Sequence, residues 1–555
     1  MVSAPGMSTQ IHHFPIRPEW IELLAGLLLG MILLAVLPRS AGRALRRTAR
    51  RRNLWIVVFA LLGPCIRLAL IPLAPIPVPT VHDEFVHLLA ADTLLDGRVA
   101  NPPHPFSDHF ETIYVIQQPT YSASYPLGNA AFLAAGWKLA GDPWFGVWMA
   151  MVLCCGAVVW MQYRWLPPLA AWTGGLLATL SLGISSYWMN SYYGAAVAAA
   201  GGAMLIGALQ ALISTARLRY AYILAAGWSL LWFTRPYESL LFGMVTAVVL
   251  LGWLWRHRAD HRRWTAALAI IVGTVAVDFG AFCYHNWRVT GEPLLHPYQL
   301  SQRLYGVPHA FLWKKEIPEP AHLTAQQHRM YIYQRDQYRT ARSPVRRWPL
   351  FANDLKKIWA FYIGYPLTIP LLLGLFAAGR KARRMRLILG AGIAWSLLYP
   401  RILPAYMAPA TGLFFALASC GLLRIARWRP RARRWGAALA LGLCIASAAS
   451  GLRVLYAWYL FGGPEAPKRP AAVARQLEAT PGLHLVFVRY GPNHNFHQEW
   501  VYNRADIEHA KVVWANDLGP ERNRQLMEYL KHGRKVWLVE PDRAGRLEPY
   551  PEKGI

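Results

Sequence analysis

The sequence predicts a polytopic α-helical membrane protein of about 12 transmembrane helices with a small C-terminal extracytoplasmic α/β domain. Three observations predict it. Of 555 residues, 55% are apolar or aromatic and only 16% are charged, against roughly 25% charged in an ordinary soluble domain. The apolar residues are bunched into runs long enough, or nearly so, to cross a bilayer. The basic excess, 58 Lys and Arg against 29 Asp and Glu, is concentrated in short loops between those runs.

The runs fall at 20–37, 54–73, 144–163, 167–187, 194–214, 220–235, 239–255, 264–284, 358–377, 387–400, 403–423 and 435–459. Four loops separating them, 38–53, 256–263, 378–386 and 424–434, hold 22 basic residues and a single acid, Asp260. That is positive-inside bias, with anionic lipid headgroups as the partner, so the net charge of +29 does not indicate nucleic acid. Placing these loops in the cytoplasm puts both termini outside. Counting inward from either side leaves residues 74 and 144 both outside, so the modest run 127–141 is expected to lie on or dip into the outer leaflet. All six cysteines fall inside apolar runs, without metal-binding or C-x-x-C spacing. The run 20–37 is no signal peptide, because its charges follow the apolar core.

Three long stretches are external on this count: 74–143, 285–357 and 460–555. The last has strand-like runs at 483–489, 511–515 and 535–540 and a polar helical stretch at 518–532, an alternation that predicts a small α/β domain. Its aromatic-rich piece at 490–503 is a candidate surface for an acceptor glycan or a protein. The Pro-rich PLAPIPVP at 72–79 ends the second helix abruptly and delivers the chain to the first external loop.

That loop opens with HDEFVHLLAADTLLDGR, residues 82–98. Asp83 and Glu84 stand where a membrane helix has just ended. In a helix over 84–95, Phe85, Leu88, Leu89 and Thr93 share a face that can rest on the bilayer. Asp83 can equally be an N-cap, and spacing alone leaves cap and catalyst open.

An Asp-Glu pair opening a juxtamembrane helix after a Pro-rich helix end resembles the GT-C glycosyltransferases, such as the protein O-mannosyltransferases and the aminoarabinose transferase of lipid A. QQPTYSASYPLGNAAFLA at 117–134 is similar to the Pro-Pro-Leu segment of that superfamily, one proline short at Tyr125-Pro126-Leu127-Gly128. HNWRVTGEPLLHPYQ at 285–299 and PRILPAYMAP at 400–409 resemble a later external loop and a late hairpin. The resemblance covers most of 54–425. It sets off 1–53 as an extra helix with a basic loop, 54–459 as a GT-C-like membrane domain, and 460–555 as a soluble domain.

The resemblance implies transfer of a sugar from a polyprenyl-phosphate donor to an acceptor hydroxyl of a glycan, lipid or protein, outside the bacterial cytoplasmic membrane. An inverting transfer needs a carboxylate base, and the acid of the first external loop implies Asp83, with Glu84 orienting the acceptor or holding Asp83's neighbours. The leaving phosphate needs cations. Arg235 in FTRPYE and Arg401 in YPRILP sit at outer helix ends, where an ionisable group is a functional candidate by default; Lys138 is a third cation, although an interfacial lysine also serves as a headgroup anchor. Glu238 can pair with Arg235 or meet the acceptor. Tyr125, and Asn190 and Tyr192 in SSYWMNSYYGA, offer aromatic and amide groups suited to a sugar and equally to an aromatic belt. Asn190 stands where superfamily members often carry a second acid. Asp83 and His87, spaced i,i+4, can share a divalent metal ion; no other cofactor is implied. A transporter or flippase would instead place broken or charged helices symmetrically in two halves, and a polysaccharide polymerase or ligase would put its catalytic Arg and His in later loops.

Overall fold

The structure is a computed structural model that describes residues 18–256, 261–307, 311–430, 434–461, 468–530, 533–543 and 545–551. Residues 257–260 and 431–433 of two basic loops, Asp260 among them, lie outside the described residues, as do 462–467.

Long apolar sequence makes long helices, since in lipid the backbone must satisfy its own hydrogen bonds. The first three are α1 (Pro18–Val36), α2 (Arg39–Thr48) and α3 (Arg52–Ala69); α4 (His82–Leu95), the two-residue strands β1 (Val115–Ile116) and β2 (Ser122–Ala123), and α5 (Leu127–Ala140) form the first large loop. Then come α6 (Trp144–Trp165), α7 (Pro168–Gly183), α8 (Ala195–Thr215), α9 (Arg219–Trp232), α10 (Pro236–Arg256) and α11 (His261–Thr290). The second large loop carries α12 (Pro297–Tyr305), α13 (Ala325–Arg342) and α14 (Arg347–Tyr362), followed by α15 (Gly364–Leu375), α16 (Arg380–Ser396), α17 (Thr411–Arg427) and α18 (Trp435–Phe461).

Every apolar run read from the sequence is helical. Among the described residues eight helices are long and apolar enough to cross a membrane, or nine with α14 and α15 taken as one span bent by 97°; α7, α9 and α16 are helical but shorter. At 14 residues, α5 is about 21 Å long, too short to span. The added helix α1 packs on α18, where Arg453 meets Glu22 at 2.6 Å and Ser450 donates to the same carboxylate.

The basic loops gather at one end of the bundle. Lys381 donates to the Arg164 carbonyl, Arg384 reaches Gln210 beside Arg256, Arg164 lies near Arg52 and Arg219, and Arg386 and Arg424 cap carbonyls at the end of α15. The two large loops and the C-terminal domain occupy the other end.

That domain comprises α19 (Lys468–Ala479), β3 (His484–Val488), β4 (Val512–Asn516), α20 (Pro520–Tyr529), β5 (Lys535–Val539) and β6 (Leu547–Pro549). Its sheet runs β4-β3-β5-β6, with β3 parallel to both β4 and β5 and β6 antiparallel to β5. The central strand is buried throughout, as a run of Leu, Val and Phe requires when both faces are covered.

Candidate active site

The site forms where α4, α5 and two interhelix turns meet. Helix α4 begins at His82 with Val81 as its N-cap, a residue with no side-chain acceptor. Glu84, in the third helical position, reaches back instead: one carboxylate oxygen accepts from the N–H of Thr80 (2.8 Å), the Thr80 hydroxyl (2.8 Å) and the N–H of Val81 (3.2 Å). The other oxygen accepts from the Tyr192 N–H at 2.9 Å. Burial raises the Glu84 carboxyl and these donors oppose the rise. Capping by Glu84 answers the question that spacing left open: Asp83 is not the cap.

Asp83 is left half-buried with different partners. Tyr125, immediately before α5, donates its hydroxyl to one carboxylate oxygen at 2.5 Å, and His82 Nε2 lies 3.2 Å from the other. Burial, with Asp83 adding to it, pushes the Tyr125 phenol well above its ordinary value, so it remains a donor. Burial also lowers His82, and takes His87 down to about 4, so both imidazoles are neutral near pH 7.

Close backbone approach fixes the second half of the site. The Gly128 N–H donates to the Phe233 carbonyl at 2.6 Å, and a Cβ at Gly128 would sit 2.6 Å from that same oxygen. The start of α5, which carries Tyr125 toward Asp83, is thereby clipped to the 233–235 turn that carries Arg235. On the other side, Asn129 donates to the Tyr192 carbonyl at 2.8 Å. Gly202 of α8 performs a similar service: a Cβ there would lie 2.2 Å from the Pro409 carbonyl, so its absence lets the tight 3-10 turn Pro404–Ala410 settle onto α8.

That turn holds Tyr406, the side chain that gathers the site. Arg235, Glu238, Asp83 and Arg401 all lie close enough to act on its hydroxyl, and the Arg235 guanidinium stands 5.1 Å from its ring centroid. Asp83 and Arg235 also act together on His87 and Tyr193. Tyr298 of α12 completes an aromatic wall, its ring 6.1 Å from Tyr125 and 6.3 Å from Tyr114.

The two arginines differ in their partners. Among the described residues, no carboxylate comes within ion-pair distance of Arg235; Glu238, fully buried, acts on it only from further away. Arg401 is held by Asp354 through two bonds of 3.0 and 2.7 Å, and the Ile402 N–H donates to the same carboxylate at 2.9 Å. The Nε–Nη2 edge of its guanidinium is thus spent on a carboxylate.

Three other expected residues sit elsewhere. Asn190 accepts from Arg67 Nε at 2.6 Å and donates to the Ile184 and Ser186 carbonyls, so its amide ties together the 184–194 turn. Tyr192 sends its hydroxyl to the Pro77 carbonyl at 2.9 Å, bracing the Pro-rich segment. Lys138 is exposed near the far end of α5, ten residues or about 15 Å along the helix from Gly128. Among the described residues, no three His, Cys, Asp or Glu side chains are grouped to hold a metal ion; Asp83 and His87 offer two donors where a bound zinc takes at least three from protein. His104 and His109 face the C-terminal domain.

One expected surface is corrected. Phe85, Leu88, Leu89 and Thr93 do not lie on a bilayer: Phe85 stacks on Tyr502 of the C-terminal domain with centroids 4.3 Å apart, and Leu89 and Thr93 are buried. A helix face that apolar can rest on protein as readily as on lipid, and here the C-terminal domain occupies part of it.

No family model and no curated protein sequence matches the chain. Among solved structures it is similar to the Archaeoglobus fulgidus oligosaccharyltransferase in its apo form, with 11% identity over 88% of this chain and 69% of that one and a TM-score of 0.50. The fold is GT-C. ArnT from Cupriavidus metallidurans bound to undecaprenyl phosphate is also similar, with 13% identity over 88% of this chain and 93% of that one and a TM-score of 0.47. Within this GT-C fold, sequence reasoning missed Tyr406, Tyr114 and Tyr298 as site residues. Tyr406 and Tyr298 fall inside the segments 400–409 and 285–299, so position in those segments was the available signal.

Proposed function

We propose that the chain is an integral membrane glycosyltransferase that moves a sugar from a polyprenyl-phosphate donor to an acceptor hydroxyl, with inversion, on the outer face of the bacterial cytoplasmic membrane. The observation that carries this reading is the pairing of Asp83, half-open and not spent on capping, with Arg235, a cation lacking an ion-pair partner among the described residues; both stand around Tyr406. The basic opposite end of the bundle supports the orientation, and the fold shared with an oligosaccharyltransferase supports the reaction class.

The parts suit the chemistry. Asp83 takes the acceptor hydroxyl proton as that oxygen bonds to the anomeric carbon. The bond from that carbon to the phosphate oxygen breaks, and the polyprenyl phosphate leaves with the electron pair. Arg235 stabilises the charge that grows on it. Tyr125 fixes the carboxylate by its hydrogen bond, and a ring of tyrosines offers faces for the sugar. A lipid-tethered donor brings its sugar to a site at helix ends, so no nucleotide-binding sheet is required.

The test is Asp83→Asn in purified full-length protein supplied with polyprenyl-phosphate sugars and a mixture of acceptors. Loss of the base lowers turnover by about 10²–10⁴-fold, with the variant unfolding at the wild-type temperature. Wild-type turnover in Asp83→Asn would overturn the assignment.

A further inference from the structure

The C-terminal domain touches the candidate site directly. Its run from Phe496 to Ala505 lies along α4, the helix that carries Asp83. At the start of that helix His497 stacks on His82, with ring centroids 5.4 Å apart and planes 18° apart; His82 is the residue whose Nε2 sits 3.2 Å from the Asp83 carboxylate. One turn on, Tyr502 stacks on Phe85 at 3°. Two turns further, Asp92 accepts two bonds from Arg504, at 2.8 and 2.5 Å, and a third from the Ala505 N–H at 2.7 Å. Residues 82, 85 and 92 occupy one side of a helix with 3.6 residues per turn, so the run follows a single face for about 15 Å.

Two further features make this more than a resting contact. The Arg504 guanidinium also lies over the Trp137 ring of α5, 4.8 Å from its centroid. One side chain therefore bridges α4 and α5, the two helices whose starts bring Asp83 and Tyr125 together. Bidentate carboxylate binding and ring stacking both favour arginine over lysine. Second, the run is anchored in the sheet behind it: Asn503 exchanges two 2.8 Å bonds with the backbone of Trp514 in β4. The second large loop closes the same corner, with Tyr333 of α13 edge-on to His497 at 5.5 Å. Beside Asp83, three buried imidazole nitrogens, His82 Nδ1, His87 Nδ1 and His497 Nε2, have no hydrogen-bond partner among the described residues.

We propose that the C-terminal domain is a working wall of the catalytic site: Arg504 holds α4 against α5, and His497 is a positioning residue that acts on Asp83 through His82. The inference rests on the glycosyl-transfer reading of that site. Because Arg504 stands at the end of α4 remote from Asp83, its effect is on alignment of the base and not on donor affinity.

The experiment compares Arg504→Ala, Arg504→Lys and His497→Ala with wild type in full-length protein, measuring kcat and the donor KM per folded molecule. Hydrogen exchange of the peptide covering 82–92 is followed in the same samples. Arg504→Ala is expected to lower kcat at least tenfold with donor KM within twofold, and to speed exchange across 82–92. Arg504→Lys recovers part of both, since an ammonium keeps one carboxylate bond and the ring contact. His497→Ala lowers kcat three- to tenfold while exchange beyond Phe85 stays as in wild type. If all three variants turn over within twofold of wild type, or if only the yield of folded protein falls, the proposal is overturned. If wild type itself transfers no sugar, the glycosyl-transfer reading has failed; unchanged exchange in Arg504→Ala would then remove the mechanical coupling as well, while faster exchange would leave the coupling standing without that chemistry.

Discussion

The turn at 233–238 and the turn at 400–406 each bring an arginine toward the same tyrosine, Tyr406, and leave it in opposite states. Arg401 is clamped by a buried aspartate through its Nε and Nη2. Arg235 has Tyr406 beneath it and no ion-pair partner among the described residues. The same division separates adjacent residues on α4: Glu84 spends both oxygens on four donors that hold the turn together, while Asp83 has one phenol, the His82 imidazole at 3.2 Å and partial access to water. In each pair one residue is saturated by partners that build the fold and the other is not. Burial and proximity alone would not separate them, but counting partners does.

The sharpest way to break this contrast is Arg235→Gln. If the free guanidinium meets the leaving phosphate, removing its charge costs turnover about 10²–10³-fold, the scale seen when one preorganised donor is lost. Stability should hold or rise slightly, because an unpaired cation near a helix end costs energy to keep. Steady-state transfer and a thermal melt on the same preparation read both effects. A large loss of stability with unchanged turnover per folded molecule would reverse the two arginines' roles.

Glu84→Gln probes the saturated acid beside Asp83. An amide placed either way turns at least one N–H toward the N–H of Tyr192 or toward the cluster at Thr80 and Val81. The expected cost is about 1–3 kcal/mol for the donor left unpaired, seen as a lower melting temperature. Turnover falls less than in Asp83→Asn, since the base itself remains.

Much of this was legible in the sequence and the rest was not, for reasons that can be named. Every apolar run appears as a helix, eight or nine of them long enough to span among the described residues, and all three predicted strands of the C-terminal domain appear, because apolar run length and alternation are local signals. Asp83 and Arg235 stand out in the sequence as charges beside the ends of apolar runs. The identity of the α4 cap was not, although a glutamate three places into a helix whose N-cap is apolar Val81 is a sign that it will reach back. The Asp354 clamp on Arg401 spans 47 residues, and the His497 stack on His82 joins positions more than 400 apart. Neither leaves any periodicity. The lipid-facing reading of Phe85 failed for a related reason: an apolar stripe states that it must be covered and does not state by what.

The smallest expected effect belongs to Arg401, and it sharpens the comparison by its mildness. Arg401→Leu removes two bonds from Asp354 but leaves the Ile402 N–H at 2.9 Å and Lys357 at 3.5 Å to share the buried carboxylate. Breaking a fully buried pair costs about 3–5 kcal/mol. Here the arginine side chain is 23% exposed and a second cation remains, so a loss of about 2 kcal/mol is expected. Turnover per folded molecule should stay within threefold of wild type, because the edge of the guanidinium that Asp354 holds is not offered to a phosphate. Asp354→Asn provides the converse: it loosens the clamp while keeping the shape, and destabilises by a similar amount. Should Arg401→Leu abolish transfer with its melting temperature intact, the clamp would have to open during the reaction, and saturation by partners would no longer tell structural arginines from working ones in this site.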